Sequence, residues 1–173
     1  IVKRKIYKDN KNEYAVKAKT KSIKKIFKII NESQRPIIVA GGGIRYSNAV
    51  NEFNNLIKKL NIPVVTTWSG IDTIDHKSPL YYGHIGVYGS RAANFCVQNS
   101  DCIISLGSRL DTRITGGKPG TFGRDAKILM VDIDKGELKK RRGLKPYMEI
   151  QEDCKEFLSR CKNNISLFKK RDM

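Results

Sequence analysis

Three short stretches combine small residues and charges at spacings that suit phosphate chemistry. The first is Gly41-Gly42-Gly43, directly after the apolar run Ile37-Ile38-Val39-Ala40. Glycines let backbone amides approach an anion, and a helix that follows presents about half a positive charge at its N-terminus, so a diphosphate suits the place. The nicotinamide fingerprint Gly-x-Gly-x-x-Gly is not met, because Tyr46 stands where the third Gly would be. No acid closes the next apolar run either, where Thr66-Thr67-Trp68 stands. A tight turn that binds nothing accounts for the triplet as well. The second stretch is Gly107-Ser108-Arg109-Leu110-Asp111-Thr112-Arg113, followed by Thr115-Gly116-Gly117. Its arginines suit a phosphate or a flat electron-rich ring, and an Arg109–Asp111 network bracing the loop is the alternative. The third is Asp132-Ile133-Asp134. An acid at that place accepts bonds from ribose hydroxyls, and helix capping by Asp134 explains part of the same pattern.

No catalytic set emerges. His76 and His84 fall in polar stretches without a neighbouring Ser or Cys nucleophile, and read as surface loop residues. Tyr81, Tyr82 and Tyr88 suit a wall or a core equally. Cys96, Cys102, Cys154 and Cys161 form no Cys-x-x-Cys pair and have no His at ligand spacing, so they read as reduced thiols of a cytoplasmic protein.

The elements that must position these stretches follow from periodicity. From Thr20, the residues Ile23, Ile26, Phe27 and Ile30 recur at helical spacing with Lys21, Lys24, Lys25 and Lys28 on the other face. Pro36 ends that helix and opens a buried strand through Ala40. Ser47 is the expected N-cap of a helix carrying Ala49, Val50, Phe53, Leu56, Ile57 and Leu60. Residues 63–67 read as a second strand. A loop-rich stretch with Pro79, Gly83, Gly86 and Gly89 leads to a helix starting at Ser90. Strands follow at 102–106, at 128–131 and, shorter, at 147–150, with a last helix from about Asp153. Alternating strands and helices imply βαβ units, hence an α/β, Rossmann-like parallel sheet with helices on both faces. Such sheets bind ligands beyond the carboxyl ends of their strands, which is where all three stretches stand.

Composition closes off other classes. The chain has 173 residues, 34 basic against 17 acidic, for a net charge of +17, and its 39% hydrophobic content is too high for wholesale disorder. A chain of this size buries about 70% of its unfolded surface, enough for a core without staples. No apolar run approaches the ~18–20 residues of a membrane helix. The start, Ile1-Val2-Lys3-Arg4-Lys5, resembles no secretory signal, and the missing Met leads us to expect a piece of something longer. The charge is uneven: net +9 over residues 1–30, +2 over 31–138 and +6 over 139–173. Basic ends suit polyanions, yet they lack interleaved aromatics and any base-reading module, so specific nucleic-acid binding is not expected. We expect a basic linker at 1–19, one domain at 20–162 and a basic tail at 163–173.

Five blocks taken together carry a resemblance. Residues Arg35 to Gly43, Ile62 to Gly70, Asn94 to Asp101, Gly107 to Arg113 and Val131 to Asp134 resemble, in order and spacing, the central domain of thiamine-diphosphate-dependent enzymes of the acetolactate synthase type. The likeness runs from about residue 20 to residue 160. Full chains of that family are several-fold longer and carry pyrimidine-binding, central and diphosphate-binding domains. The resemblance implies that the catalytic glutamate lies in the first of these. The Gly-Asp-Gly…Asn motif for magnesium and thiamine diphosphate lies in the last, and no Gly-Asp-Gly occurs here. It therefore implies an excised central domain, with no catalytic residue and no metal ligand of its own. Its parent would be a homo-oligomer that makes or breaks a carbon–carbon bond next to a 2-oxo acid carbonyl.

In acetolactate synthases this domain binds FAD, outside the redox chemistry of the main reaction; other members bind another nucleotide or nothing. By position, the resemblance places Gly41, Gly42 and Gly43 at the diphosphate and ribityl part. It places Gly86, Val87, Gly89, Gly107, Ser108, Arg109, Asp111 and Arg113 at the flavin, Asp132 and Ile133 at the ribose and adenine, and Asp153 near the adenine. The chain departs from the family at Glu152-Asp153, where Gly-Asp is usual, at Lys135 in place of Pro, and at Tyr88 where His is frequent. A purely structural or oligomerisation module, and a polyanion-binding domain, are the alternatives.

Overall fold

Short runs rich in Ile, Val and Leu bury both faces of a strand, and the computed structural model, which describes residues 20–140 and 142–169, places six strands in one sheet. They are β1 (Pro36–Ala40), β2 (Val64–Thr66), β3 (Tyr81–His84), β4 (Cys102–Leu106), β5 (Lys127–Asp132) and β6 (Met148–Gln151). All pairs are parallel and the spatial order is β3-β2-β1-β4-β5-β6. Register runs straight across the middle: Ile38 faces Val64 on one side and Ile104 on the other, and Ile104 faces Leu129.

The two-residue period of the strands then splits the core into two layers. Ile38, Val64, Ile104 and Leu129 join one cluster with α1 (Thr20–Glu32), α3 (Val50–Leu60) and α7 (Cys154–Asn163). Ile37, Val39, Ile103, Ile128 and Met130 join the other with α4 (Arg91–Gln98) and α6 (Lys135–Lys140). Two one-turn helices, α2 (Gly43–Tyr46) and α5 (Thr112–Thr115), sit in the loops after β1 and β4. On α1 the apolar stripe Ile23, Ile26, Phe27 and Ile30 is buried while Lys24, Lys25 and Lys28 are exposed. Past α7 the chain returns to α1: the Phe27 and Phe168 rings lie 6.3 Å apart, and Asn31 Nδ2 donates to the Leu167 carbonyl at 2.8 Å.

The expected parallel α/β sheet is present, and two local expectations are corrected. Ser47 does not cap the helix of Phe53. Its hydroxyl donates back to the Ile44 carbonyl at 3.0 Å, because α2 intervenes, Asn48 turns through a φ of +51°, and Ala49 becomes the N-cap residue. The stretch read as loop before Ser90 contains β3, an edge strand with an irregular register against β2. The expected linker at 1–19 lies outside the described residues. Among the described residues, no helix is long and apolar enough to cross a membrane.

Candidate functional site

The order in which strands are added to the sheet reverses between β1 and β4, which are parallel neighbours although β2 and β3 intervene in sequence. A parallel sheet opens a crevice at such a point, and here the carboxyl ends of all six strands border a cleft of about 960 Å³. That volume stands near the upper limit for small-molecule sites, ~300–1,000 Å³. Its walls can be built strand by strand.

The β1 and β4 loops meet backbone to backbone. Gly41 and Gly43 donate their amides to the carbonyls of Leu106 and Gly107, at 2.9 and 3.0 Å. A Cβ on Gly41 would stand 2.3 Å from the Gly107 oxygen, and Gly107 itself has a φ of +58°. The glycines thus serve contact between two loops, and two amides of the triplet are already engaged. Gly42, Gly43 and Gly107 line the cleft, whereas Gly41 lies beneath its floor and is not among the lining residues.

Beyond β4, Ser108, Arg109, Asp111 and Arg113 all line the cleft. Asp111 does not brace Arg109 by a hydrogen bond. Its Oδ1 accepts from the Arg113 amide at 3.0 Å and caps α5. The β3 loop reaches the same wall: Val87 donates its amide to the Arg113 carbonyl at 2.8 Å. Gly86, at a φ of +107°, allows this approach, since a Cβ there would stand 2.5 Å from that carbonyl oxygen. Its amide and carbonyl are both held by the Asn94 side chain at 3.0 Å. Val87 is exposed in the cleft, while Gly86 and Gly89 shape the turn behind it.

The β5 and β6 ends supply the acids. Asp132 is 8% exposed, burial raises its pKa above the usual carboxylate value, and its Oδ1 accepts from the Asp134 amide at 2.9 Å. Asp134 in turn caps α6 through Gly136, at 2.7 Å. Ile133 and Asp153 also line the cleft, and Asp153 Oδ1 caps α7 by accepting from Lys155 at 2.8 Å. Next to it, Glu152 is buried and pairs with Arg160 of α7; burial outweighs that pairing and pushes its carboxyl up to about 7. Each acid near the cleft therefore has a structural task already, which residue spacing alone does not reveal.

Four aromatic or imidazole side chains complete the mouth. Trp68 and Tyr88 are 68% and 72% exposed and meet edge to face with ring centroids 5.6 Å apart. Tyr46 also lines the cleft and is 80% exposed. His84, expected in a surface loop, ends β3 and lines the cleft, with Nε2 2.7 Å from the Tyr88 carbonyl oxygen. Trp68 and Tyr46 belong to turns whose place depends on the sheet order, so nothing local marks them as wall residues. The arrangement has a cationic side at Arg109 and Arg113, an acidic side at Asp132, and a flat apolar mouth. That combination accommodates an anion joined to a hydroxyl-bearing group and an aromatic ring. Among the described residues, no group of three or more His, Cys, Asp or Glu is placed to hold a metal.

The sequence is similar to those of known proteins. The "Probable acetolactate synthase large subunit" of Methanococcus aeolicus is 44% identical over 120 residues, covering 69% of this chain and 20% of its own length. The "Acetolactate synthase large subunit" of Cyanidium caldarium is 38% identical over 148 residues, 84% of this chain and 25% of its own. That of Lactococcus lactis is 38% identical over 144 residues, 83% and 24%. The chain thus spans about a quarter or less of the curated relatives it matches. Residues 23–161 match the family described as "Thiamine pyrophosphate enzyme, central domain", a span that takes in the whole sheet and the cleft. On that match the chain belongs to the family of thiamine pyrophosphate enzyme central domains.

Proposed function

We propose that this chain is the nucleotide-accommodating, scaffolding part of a larger thiamine-diphosphate-dependent enzyme of acetolactate synthase type, acting on 2-oxo acids in a cytoplasmic setting. Flanking pyrimidine-binding and diphosphate-binding domains would hold thiamine diphosphate and magnesium. The residues present here do not fit those groups, since there is no acidic metal cluster among the described residues and no Gly-Asp-Gly in the sequence. No step of the carbon–carbon chemistry is therefore assigned to this chain.

The observation that carries the nucleotide reading is the convergence of Arg109, Arg113 and Asp132 on one cleft. FAD or another adenine nucleotide fits that donor set. Arg109 and Arg113, with the small residues Gly42, Gly43, Gly107 and Ser108, would hold phosphate. Asp132, desolvated and facing the cleft, would accept from a ribose hydroxyl, with Ile133 and Asp153 beside the adenine. Bound there, the cofactor would brace the strand ends rather than supply a bond-making step. Gly41, Gly86 and Gly89 would act through the shape of the walls.

A second reading, a structural module without nucleotide, is favoured by the engagement of the Gly41 and Gly43 amides with β4. Thermal unfolding of the chain with FAD and with ADP separates the two. At about 100 times its dissociation constant, a ligand stabilises by about 2.7 kcal/mol. A shift with either supports the cleft as a nucleotide site, and no shift with both leaves the structural module. Pyruvate consumption with thiamine diphosphate and magnesium is expected to be absent from this chain alone; turnover would overturn the assignment.

A further inference from the structure

One wall of the cleft is held from outside it. Arg142 lies in the turn after α6 with a φ of +43°, a left-handed backbone that a non-glycine residue adopts only where surrounding contacts impose it. Those contacts are specific. Nη1 donates to the Arg109 carbonyl at 3.2 Å, and Nη2 pairs with the Glu137 carboxylate. Glu137 is buried on α6 and also receives Lys140 Nζ at 2.6 Å. Hydrogen bonds from Lys140 and Arg142 hold its carboxyl down at about 2, so the pair is ionised at neutral pH. The helix that carries Glu137 starts directly from the β5 end, where Asp134 caps it and donates to Asp132. On the other side, Leu110 has a φ of +44° and is fully buried in the second core layer. The Arg109 backbone is thus pinned by a buried anchor on one side and by a guanidinium fork at its carbonyl, while the residue lines the cleft.

We propose that Arg142, oriented by Glu137, is a positioning residue for the cleft: it ties the Arg109 carbonyl to α6 and so fixes the gap between Arg109 at the β4 tip and Asp132 at the β5 tip. The purpose rests on the nucleotide reading, but the geometry stands without it. Arg109 and Asp132 are the opposite charges that a nucleotide would bridge, phosphate to one and ribose hydroxyl to the other, so the fork selects ligands by that spacing. Lysine cannot replace it, because a single ammonium does not span a carbonyl and a carboxylate as a planar fork does.

The test uses the full chain with Arg142→Gly, Arg142→Lys and Glu137→Gln. Glycine accepts the positive φ, which offsets part of the cost of leaving the buried Glu137 carboxylate with Lys140 alone, so Arg142→Gly is expected to fold with a modestly lowered urea midpoint while deleting the fork. Hydrogen exchange of the amides in residues 107–115 should then rise about tenfold, and FAD or ADP should bind about tenfold more weakly. Arg142→Lys should restore neither, and Glu137→Gln should loosen the same segment. Unchanged protection of residues 107–115 in Arg142→Gly, or full restoration by Arg142→Lys, overturns the proposal. If neither FAD nor ADP binds the parent chain, the nucleotide reading fails, and exchange in residues 107–115 still decides the fork.

Discussion

Gly43 donates its amide to the Gly107 carbonyl at 3.0 Å, and a Cβ added to Gly43 would stand 2.6 Å from the Gly107 Cα. The partner is equally constrained: a Cβ on Gly107 would stand 2.6 Å from the Gly43 Cα and 2.9 Å from the Cys154 sulfur, at a φ of +58°. Gly107→Ala is therefore expected to lower stability by about 1–3 kcal/mol through overpacking, with backbone strain added. Urea unfolding measures it, and an unchanged midpoint would show that the loops separate without cost.

Trp68 is the single tryptophan and stands exposed at the mouth against Tyr88. Trp68→Ala should change stability by no more than about 0.5 kcal/mol, as for surface sites generally. Binding of a ring-bearing ligand should weaken a few-fold, in line with ~0.5–1.5 kcal/mol for an aromatic contact. In the parent chain, FAD should alter tryptophan emission on titration. A saturable thermal shift without any change in emission would move the ligand away from this mouth.

Two buried glutamates give stability opposite dependences on pH. Glu137 is held at about 2 against an ordinary 4.5, so the unfolded chain takes up a proton first as pH falls; the contribution is complete above 4.5 and lost between 4.5 and 2. Glu152 is pushed by burial to about 7, so the native chain keeps a proton that the unfolded chain releases; the contribution is present below 4.5 and lost as pH rises to 7. Urea midpoints across pH should show both limbs. Glu137→Gln should flatten the acid limb and Glu152→Gln the one between 4.5 and 7. Profiles that match the parent chain would refute these assignments.

Burial raises the thiols of Cys154 and Cys161 to about 12, and Cys102 is buried within β4, whereas Cys96 is half-buried on α4. Alkylation of the folded chain near pH 8 should modify Cys96 first, because the thiolate is the reactive form and access is needed as well. Peptide mass spectrometry reads the order. Fast labelling of Cys154 would mean that the floor of the cleft is open.

The sheet was readable from the sequence because β1, β4 and the middle of β5 are buried on both faces and therefore carry mostly apolar runs, interrupted only by Ser105. β3 was not, since Tyr81-Tyr82-Gly83-His84 is an edge strand that pairs on one side, and half-exposed aromatics look like loop. Ser47 misled for a related reason: its type suits a cap, but whether α2 precedes α3 depends on contact between Gly43 and Gly107, far apart in sequence. At the cleft, the positions of Arg109, Arg113 and Asp132 followed from the rule about strand ends. Trp68, Tyr46 and His84 did not, because their place follows from which strands are neighbours. The local capping tasks of Asp111 and Asp153 also needed backbone geometry.

The pairing of Pro36 with Cys102 has a consequence for assembly. It joins a β1–β3 half to a β4–β6 half along a seam whose partners lie far apart in the chain, and the groove has one bank on each half. Pairing partners this distant in the chain carries a larger loop-closure cost than pairing neighbours in sequence. An occupant gripping both banks would work as a tie-bar across the joint, resisting shear where covalent connectivity resists it least.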